Sequence, residues 1–169
     1  MSRIITFSRY FPAYHPRKGE PTYFVEGLWE SIRNNENINS PQYQFMKFES
    51  DIMRWKQYQP KHHTIRAGNR WEVGDKFSPR VWSGKPYNSK QIIIAPDIEI
   101  KKVFDVNFRI RGSINFRIVN HRYHFDHEKM KLLAKNDGLS YDDFMAWFCN
   151  GKDWDFKGQI ICWNENIIY

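Results

Sequence analysis

A long alternating segment near the middle of the chain constrains the fold most strongly. From Ile98 to Ile110 the even-numbered positions are apolar, with Lys102 as the exception. This period of two is typical of a strand with one buried face. Residues 111–113 (Arg-Gly-Ser) read as a turn, and residues 114–118 repeat the alternation. The pattern therefore predicts one long strand paired with a second strand in a β-hairpin.

Short strands are predicted on both sides of this hairpin. They cover residues 4–7, 63–66, 71–73, 92–95 and 159–163. Between residues 60 and 77 they are separated by the tight turns Gly68-Asn69 and Gly74-Asp75. Short strands joined by tight turns are typical of a small twisted β-barrel, which we expect here in preference to a layered sheet.

Two amphipathic helices are predicted in the N-terminal third. Pro21 suits the first position of a helix whose apolar stripe ends near residue 34. Ser40 followed by Pro41 is a second helix-start signal, and the apolar spacing after it is again helical. Because this second helix interrupts the run of strands, we predict that residues 34–58 are a helical insertion.

Two further short helices precede the last strand. Asp126 can cap the first of them, and Gly138 is suited to end it. Ser140 and Asp143 form a capping box that starts the second. A chain of 169 residues is long enough for one core. The sequence therefore predicts a single α+β domain over residues 1–169, a small β-barrel with flanking helices.

Cysteine usage and hydropathy indicate the compartment. Cys149 and Cys162 have no second pair beside them, so neither a disulfide framework nor a thiolate zinc site is indicated. The N-terminus lacks the apolar stretch of a signal peptide, and no apolar run approaches membrane-spanning length. We expect a cytoplasmic protein that does not enter a membrane.

The net charge of +7 is concentrated in one segment. Residues 54–90 hold nine Lys or Arg residues and two acids, whereas bases and acids balance in the rest of the chain. A local excess of this kind is typical of a nucleic-acid or nucleotide site. The alternative is that these bases are merely exposed and that the neighbouring aromatic residues fill the core.

Three motifs in order resemble the ASCH domain family. They are residues 61–66 (KHHTIR), Gly74-Asp75, and the run from Ala134 through Asn-Asp-Gly-Leu-Ser at 136–140 to Phe144, followed by a final strand. The resemblance covers the first strand and most of residues 60–163, and leaves 34–58 unexplained. It implies a PUA-like β-barrel with a cleft suited to RNA or a nucleoside.

The nearest enzymatic resemblance is to small bacterial amidohydrolases that remove the acetyl group from N(4)-acetylcytidine. Their proposed catalytic set of Lys, Thr and a distant Glu implies catalytic roles for Lys61, Thr64 and Asp137. The carboxylate here is one methylene shorter than in that family. Each residue also has a structural interpretation: a solvated lysine, a strand threonine and a helix-ending aspartate.

The same segment supplies the candidate ligand-binding residues. Basic side chains would contact phosphates, aromatic rings would stack on unpaired bases, and a histidine would line the cleft. The predicted ligand-binding residues are Arg66, His63, Arg70, Arg80, Lys85 and Trp82, with Lys56, Trp71 and Tyr87 as further candidates. No metal or cofactor is predicted, although His121, His124 and His127 could supply metal ligands if their loop folded around an ion.

Three classes of function remain open from the sequence. The first is an RNA-binding or modified-nucleoside-binding ASCH module. The second is a hydrolase, either an amidohydrolase of the N(4)-acetylcytidine type or a ribonuclease. The third is a protein-interaction module that uses the inserted helix.

Overall fold

The computed structural model describes residues 2–33, 58–111, 113–119, 125–149 and 154–169. These residues form an α+β fold, which confirms the predicted class. The predicted insertion at 34–58 lies outside the described residues except for Tyr58. In chain order the elements are β1 (Arg3–Thr6), α1 (Phe24–Arg33), β2 (His63–Ala67), β3 (Lys76–Trp82), β4 (Gln91–Ile93), β5 (Ile98–Glu99), β6 (Lys102–Arg111), β7 (Ser113–Ile118), α2 (His127–Asn136), α3 (Tyr141–Phe148) and β8 (Trp154–Cys162).

The predicted small closed β-barrel is wrong. The described strands form two open sheets: β3 carries β1, β4 and β5, while the second sheet has the order β2-β8-β6-β7. Among these strands, β2 pairs only with β8 and β1 pairs only with β3. Because no ladder joins the two edges, the sheets stay open along β1 and β2.

The long strand predicted from Ile98 to Ile110 is divided between the two sheets. β5 pairs with β3, and β6 pairs with β8 and β7. The chain changes sheets at Ile100 and Lys101, whose backbone N–H groups donate to Asp75 O and Cys162 O. Ile100 is fully buried, so the apolar alternation continues through the break. The hairpin of β6 and β7 is confirmed.

The segment from Gly68 to Asp75 is a loop, so the strand predicted at 71–73 is wrong. Trp71 is buried and Val73 is 65% exposed. Trp71 is fixed by the Gln159 side chain, which accepts from Trp71 N and donates to Trp71 O. A side chain of β8 thus provides the hydrogen bonds that a neighbouring strand would otherwise supply.

The helix signals after residue 125 are confirmed. Asp126 Oδ1 accepts from Lys129 N at the start of α2, and Ser140 Oγ accepts from Asp143 N at the start of α3. The first helix begins at Phe24, three residues later than Pro21 suggests, since Tyr23 has a φ of 58° and interrupts helical geometry. Pro21 instead forms an isolated bridge with Tyr10.

The two helices α2 and α3 cover one face of the second sheet. Phe108 of β6 and Phe116 of β7 are buried there, against Phe148 and Phe125 respectively. On its other face, near β2, this sheet contacts the first sheet through the loop that contains Trp71. The free edge of β2 lies between these two packed regions and carries the candidate site.

Candidate functional site

A cavity of about 600 Å³ lies between the open edges of the two sheets. Residues 6–12, which follow from β1, form one wall. Thr64, Ile65 and Arg66 of β2 form the opposite wall. Residues from the loop after β3, Phe24 of α1 and the end of α3 complete the lining. The volume falls in the range of small-molecule sites, about 300–1,000 Å³.

Lys61 is held at the base of this cavity by close packing on two glycines. Its backbone N–H donates to Gly27 O at 2.9 Å. A Cβ on Gly27 would lie 3.3 Å from Lys61 Cβ, and a Cβ on Gly138 would lie 3.2 Å from it. The side chain is 2% exposed, and Nζ lies 4.2 Å from the centroid of the Phe24 ring. A side chain at either glycine would crowd the lysine.

Asp137 meets Lys61 from the C-terminal end of α2. Gly138 has a φ of 77°, which ends the helix, and Asp137 N donates to Leu133 O and Ala134 O. Lys61 Nζ donates to Asp137 Oδ1 and, at 2.6 Å, to the Asp137 carbonyl oxygen. The pair predicted from the sequence is therefore in direct contact and buried.

Burial moves the pKa values of the two groups toward each other. It lowers the pKa of Lys61 and raises the pKa of Asp137, because both charged forms lose solvation, while their mutual attraction opposes each shift. Because the lysine becomes less basic and the aspartate more basic, the free-energy difference between the ion pair and the neutral pair of amine and carboxylic acid becomes smaller. A neutral amine can accept a proton and a carboxylic acid can donate one, so the neutral pair is suited to general acid–base catalysis.

Thr64 and Arg66 line the same cavity from β2. The Thr64 hydroxyl has no hydrogen-bond partner among the described residues, and the residue is 5% exposed. Arg66 Nη2 donates to Thr6 O at 2.6 Å and so links the two sheet edges. Arg66 Nε is buried and has no partner in the described part of the chain. The Thr64 hydroxyl is therefore the polar group that stays available at this part of the cavity wall, while the Arg66 guanidinium is tied to Thr6 and buried at Nε.

His63 lies behind Asp137 and does not line the cavity. It is fully buried; Nε2 is 3.6 Å from Asp137 Oδ1, and Nδ1 contacts the Tyr169 hydroxyl. Tyr169 Oη accepts from Asn136 Nδ2 and shares a hydrogen bond with His63 Nδ1. Burial lowers the pKa of His63 well below its usual value, which keeps the ring neutral while Nε2 faces the carboxylate.

The other predicted ligand residues separate into two groups. Trp82 lines the cavity beside Tyr87, with ring centroids 5.3 Å apart. Arg70, Arg80 and Lys85 do not line it. Arg70 is exposed above Trp71, Arg80 contacts the side chains of Ser78 and Gln91, and Lys85 is exposed on a loop.

The charged segment does not form one basic wall in the part of the chain that is described. Of its bases, Lys61 and Arg66 face the cavity, and the other described ones lie elsewhere on the surface. Lys56 falls outside the described residues, and Trp71 packs in the core rather than at the cavity. The charge count could not separate the bases that face the cavity from the exposed ones, and the nucleic-acid role of the segment stays a prediction.

Sequence reasoning missed several aromatic lining residues. Phe7, Phe24, Trp147 and Phe148 all face the cavity. Phe24, Trp147 and Phe148 carry helical apolar spacing, which indicates packing, and they do pack in the core as well. The contact of Tyr169 with His63 had no signal in the sequence.

The described residues also bear on metal binding and on membrane insertion. Among them there is no group of three His, Cys, Asp or Glu residues that could hold a metal ion. His121 and His124 lie outside the described residues, and His127 packs against the Tyr141 ring. Cys149 and Cys162 are free thiols. The helices described here are too short or too polar to cross a membrane.

Comparison with known proteins identifies no relative of this chain. The ASCH resemblance remains an expectation carried by three short motifs. No family model, curated protein or solved structure matches this chain.

Proposed function

We propose that the cavity binds a nucleoside, with a modified pyrimidine as the preferred base. The observation that carries this proposal is that Lys61, Thr64, Arg66 and Asp137 line one cavity together with Trp82. The first four provide donors and acceptors for the polar edge of a base or for ribose hydroxyls. The proposal depends on this geometry and does not require a closed barrel.

The aromatic lining suits a planar ligand. Trp82 and Tyr87 stand at one side of the cavity, and Phe24 and Trp147 at another. Aromatic rings bind bases by stacking, and a few polar groups then fix the orientation of the ligand. The Thr64 hydroxyl, which has no hydrogen-bond partner among the described residues, is well suited to this orienting role.

Trp82→Ala is expected to weaken binding of cytidine and N(4)-acetylcytidine, measured by titration calorimetry. Loss of one stacking ring costs about 1–3 kcal/mol, which is about fivefold to 150-fold in Kd. Trp29→Ala is the matched control, because Trp29 is also half-buried but lies outside the cavity and donates to Ile94 O. Equal weakening by both variants, or no nucleoside binding by the parent protein, would contradict the proposal.

A second candidate function is hydrolysis of an amide on that base. The observation that favours it is the buried contact of Lys61 with Asp137 in the cavity that Thr64 also lines. The Thr64 hydroxyl would attack the acyl carbon and transfer its proton to a neutral Lys61 amine. The C–N bond then breaks, the leaving amine takes a proton from the Lys61–Asp137 pair, and water hydrolyses the acyl-threonine ester. No comparable observation favours the ribonuclease, and the inserted-helix interface lies outside the described residues.

Thr64→Val is expected to abolish conversion of N(4)-acetylcytidine to cytidine, followed by mass spectrometry. Valine keeps the shape of the residue and removes the nucleophile, whereas Thr64→Ser retains a hydroxyl and should retain part of the activity. Lys61→Ala should lower the rate by about 10²–10⁴, the usual contribution of a general base. If turnover persists in Thr64→Val, the hydrolase mechanism is wrong, and the nucleoside-binding proposal is unaffected.

A further inference from the structure

One exposed face of the second sheet is rich in cations that the cavity does not use. Its polar side chains come from three adjacent strands, and we call this surface the basic sheet face. It consists of Asn107, Arg109 and Arg111 of β6, Arg117 of β7, and Asp155 and Lys157 of β8.

The pairing register places these side chains on one surface. Asn107 is opposite Arg117 on one side and Lys157 on the other, and Arg109 is opposite Asp155. Residues directly opposite each other in a ladder share a face. The intervening residues, such as Phe108, point to the opposite face, which α2 and α3 cover. The basic sheet face is therefore open to solvent along three strands.

The cations on this face outnumber the acids. Asp155 accepts from Arg109 Nε at 2.7 Å and from Arg111 Nη2 at 2.9 Å, so one carboxylate orients two guanidinium groups. Asp105 adds a second carboxylate, which accepts from Gln159 Nε2. Arg117 and Lys157 form no ion pair with a described acid. Four cations against two carboxylates leave a positive surface with two unpaired bases.

The chemistry of the face selects the kind of partner. The side chains that define it are polar or charged, and apolar groups are limited to half-buried Phe156, which lines the same hollow, and Val119, two residues after Arg117, so the aromatic or aliphatic anchors on which protein interfaces depend are few. The described helices lie elsewhere in the fold, so none of them stands on this face to enter a duplex groove. Open sheet surfaces accommodate single strands, and cations on them contact phosphates.

We propose that the basic sheet face binds single-stranded nucleic acid through its phosphates. This surface is separate from the cavity: between them stands the loop that begins at Gly68, whose N–H donates to Lys157 O, and continues through Arg70 and buried Trp71. Binding is largely independent of sequence, because the face offers mainly charge, with half-buried Phe156 as its one described ring. Arg117 and Lys157 contribute most, since neither forms an ion pair with a described acid.

The test is fluorescence anisotropy with a labelled single-stranded oligouridylate, titrated at several salt concentrations. Each phosphate contact adds about 0.7 to the slope of log K against log salt. Arg117→Gln combined with Lys157→Gln should reduce that slope by about 1.4 and raise Kd by about 20-fold near 0.1 M salt. Lys131→Gln combined with Lys135→Gln is the matched control, because both are exposed on α2, on the other side of the sheet.

The outcomes distinguish this proposal from the nucleoside site. Support requires the reduced slope in the Arg117 and Lys157 variant, an unchanged slope in the control, and unchanged cytidine affinity in both. The proposal is overturned if the parent binds no oligouridylate at low salt, if it prefers duplex RNA, or if both double variants lose affinity equally. Failure of cytidine binding alone would remove the cavity proposal and leave this one standing.

Discussion

Replacing Lys61 with methionine is expected to lower the free energy of unfolding by about 3–5 kcal/mol, the usual effect of removing one partner of a buried ion pair. Methionine fills a similar volume between Gly27 and Gly138, so the loss comes from charge rather than from a cavity. Asp137 would be left 5% exposed without its ammonium partner. Urea denaturation at neutral pH measures the effect.

The pH dependence of this variant identifies the cause of the loss. Burial raises the pKa of Asp137, and loss of Lys61 removes the attraction that opposes the rise. The folded state then binds more protons than the unfolded state above pH 3.8, the ordinary value, so stability falls as pH increases. The deficit of Lys61→Met should be largest at alkaline pH and smaller at acidic pH.

The matched control removes both charges. Lys61→Met combined with Asp137→Asn should recover a substantial part of the lost stability, because no buried charge remains without a partner. The deficit in the double variant should also lose its dependence on pH. A deficit in Lys61→Met that is constant with pH and persists in the double variant would show that packing, and not the ion pair, is responsible.

Local signals in the sequence predicted local structure well. The caps at Asp126 and Ser140 and the ending glycine at 138 depend on side-chain and backbone contacts within four residues, so the chain alone specifies them. The same is true of the β6–β7 hairpin, whose strands are adjacent in sequence. These elements also explain why the position of Asp137 at a helix end was predictable.

Strand partners were not predictable in the same way. β1 pairs with β3 across more than seventy residues, and the alternation from Ile98 to Ile110 is interrupted only at Lys102, the first residue of β6, which does not reveal that the strands on either side belong to different sheets. A period of two shows that one face is buried but not which strand lies beside it. The closed barrel was therefore an inference about pairing that the local pattern could not support.

The candidate site also combines local features, which the sequence predicts, with contacts between distant segments, which it does not predict. The spacing of Lys61 and Thr64 is local, and the resemblance supplied the distant Asp137. The glycine contacts that bury Lys61, and the Tyr169 hydroxyl that hydrogen-bonds His63, come from segments far apart in the chain. The burial that shifts the pKa values of the pair thus could not be read from the residues that form it.

Gly158→Ala is expected to be the most disruptive addition of a single methyl group at a described glycine. A Cβ at this position in β8 would lie 2.2 Å from Arg66 O and 2.6 Å from two atoms of the Phe156 ring. The ring can rotate, but Arg66 O belongs to the backbone of β2, which is held in register by the pair Ala67 and Gly158. Relief of the clash requires β2 to move, and overpacking of this kind costs about 1–3 kcal/mol or more.

The same displacement links stability to the cavity, because Thr64 and Arg66 lie on the strand that must shift. Gly158→Ala should therefore weaken cytidine binding in protein that is still folded, in addition to lowering the urea midpoint. Gly84→Ala is the control for stability alone, because Gly84 itself lines the cavity: its Cβ would meet only Ser89 atoms at 3.5 and 3.7 Å, so its stability should change by less than about 0.5 kcal/mol. If Gly158→Ala is as stable as Gly84→Ala and binds cytidine like the parent, β2 and β8 are not packed at the described distance. The placement of Thr64 and Arg66 in the cavity wall would then be wrong.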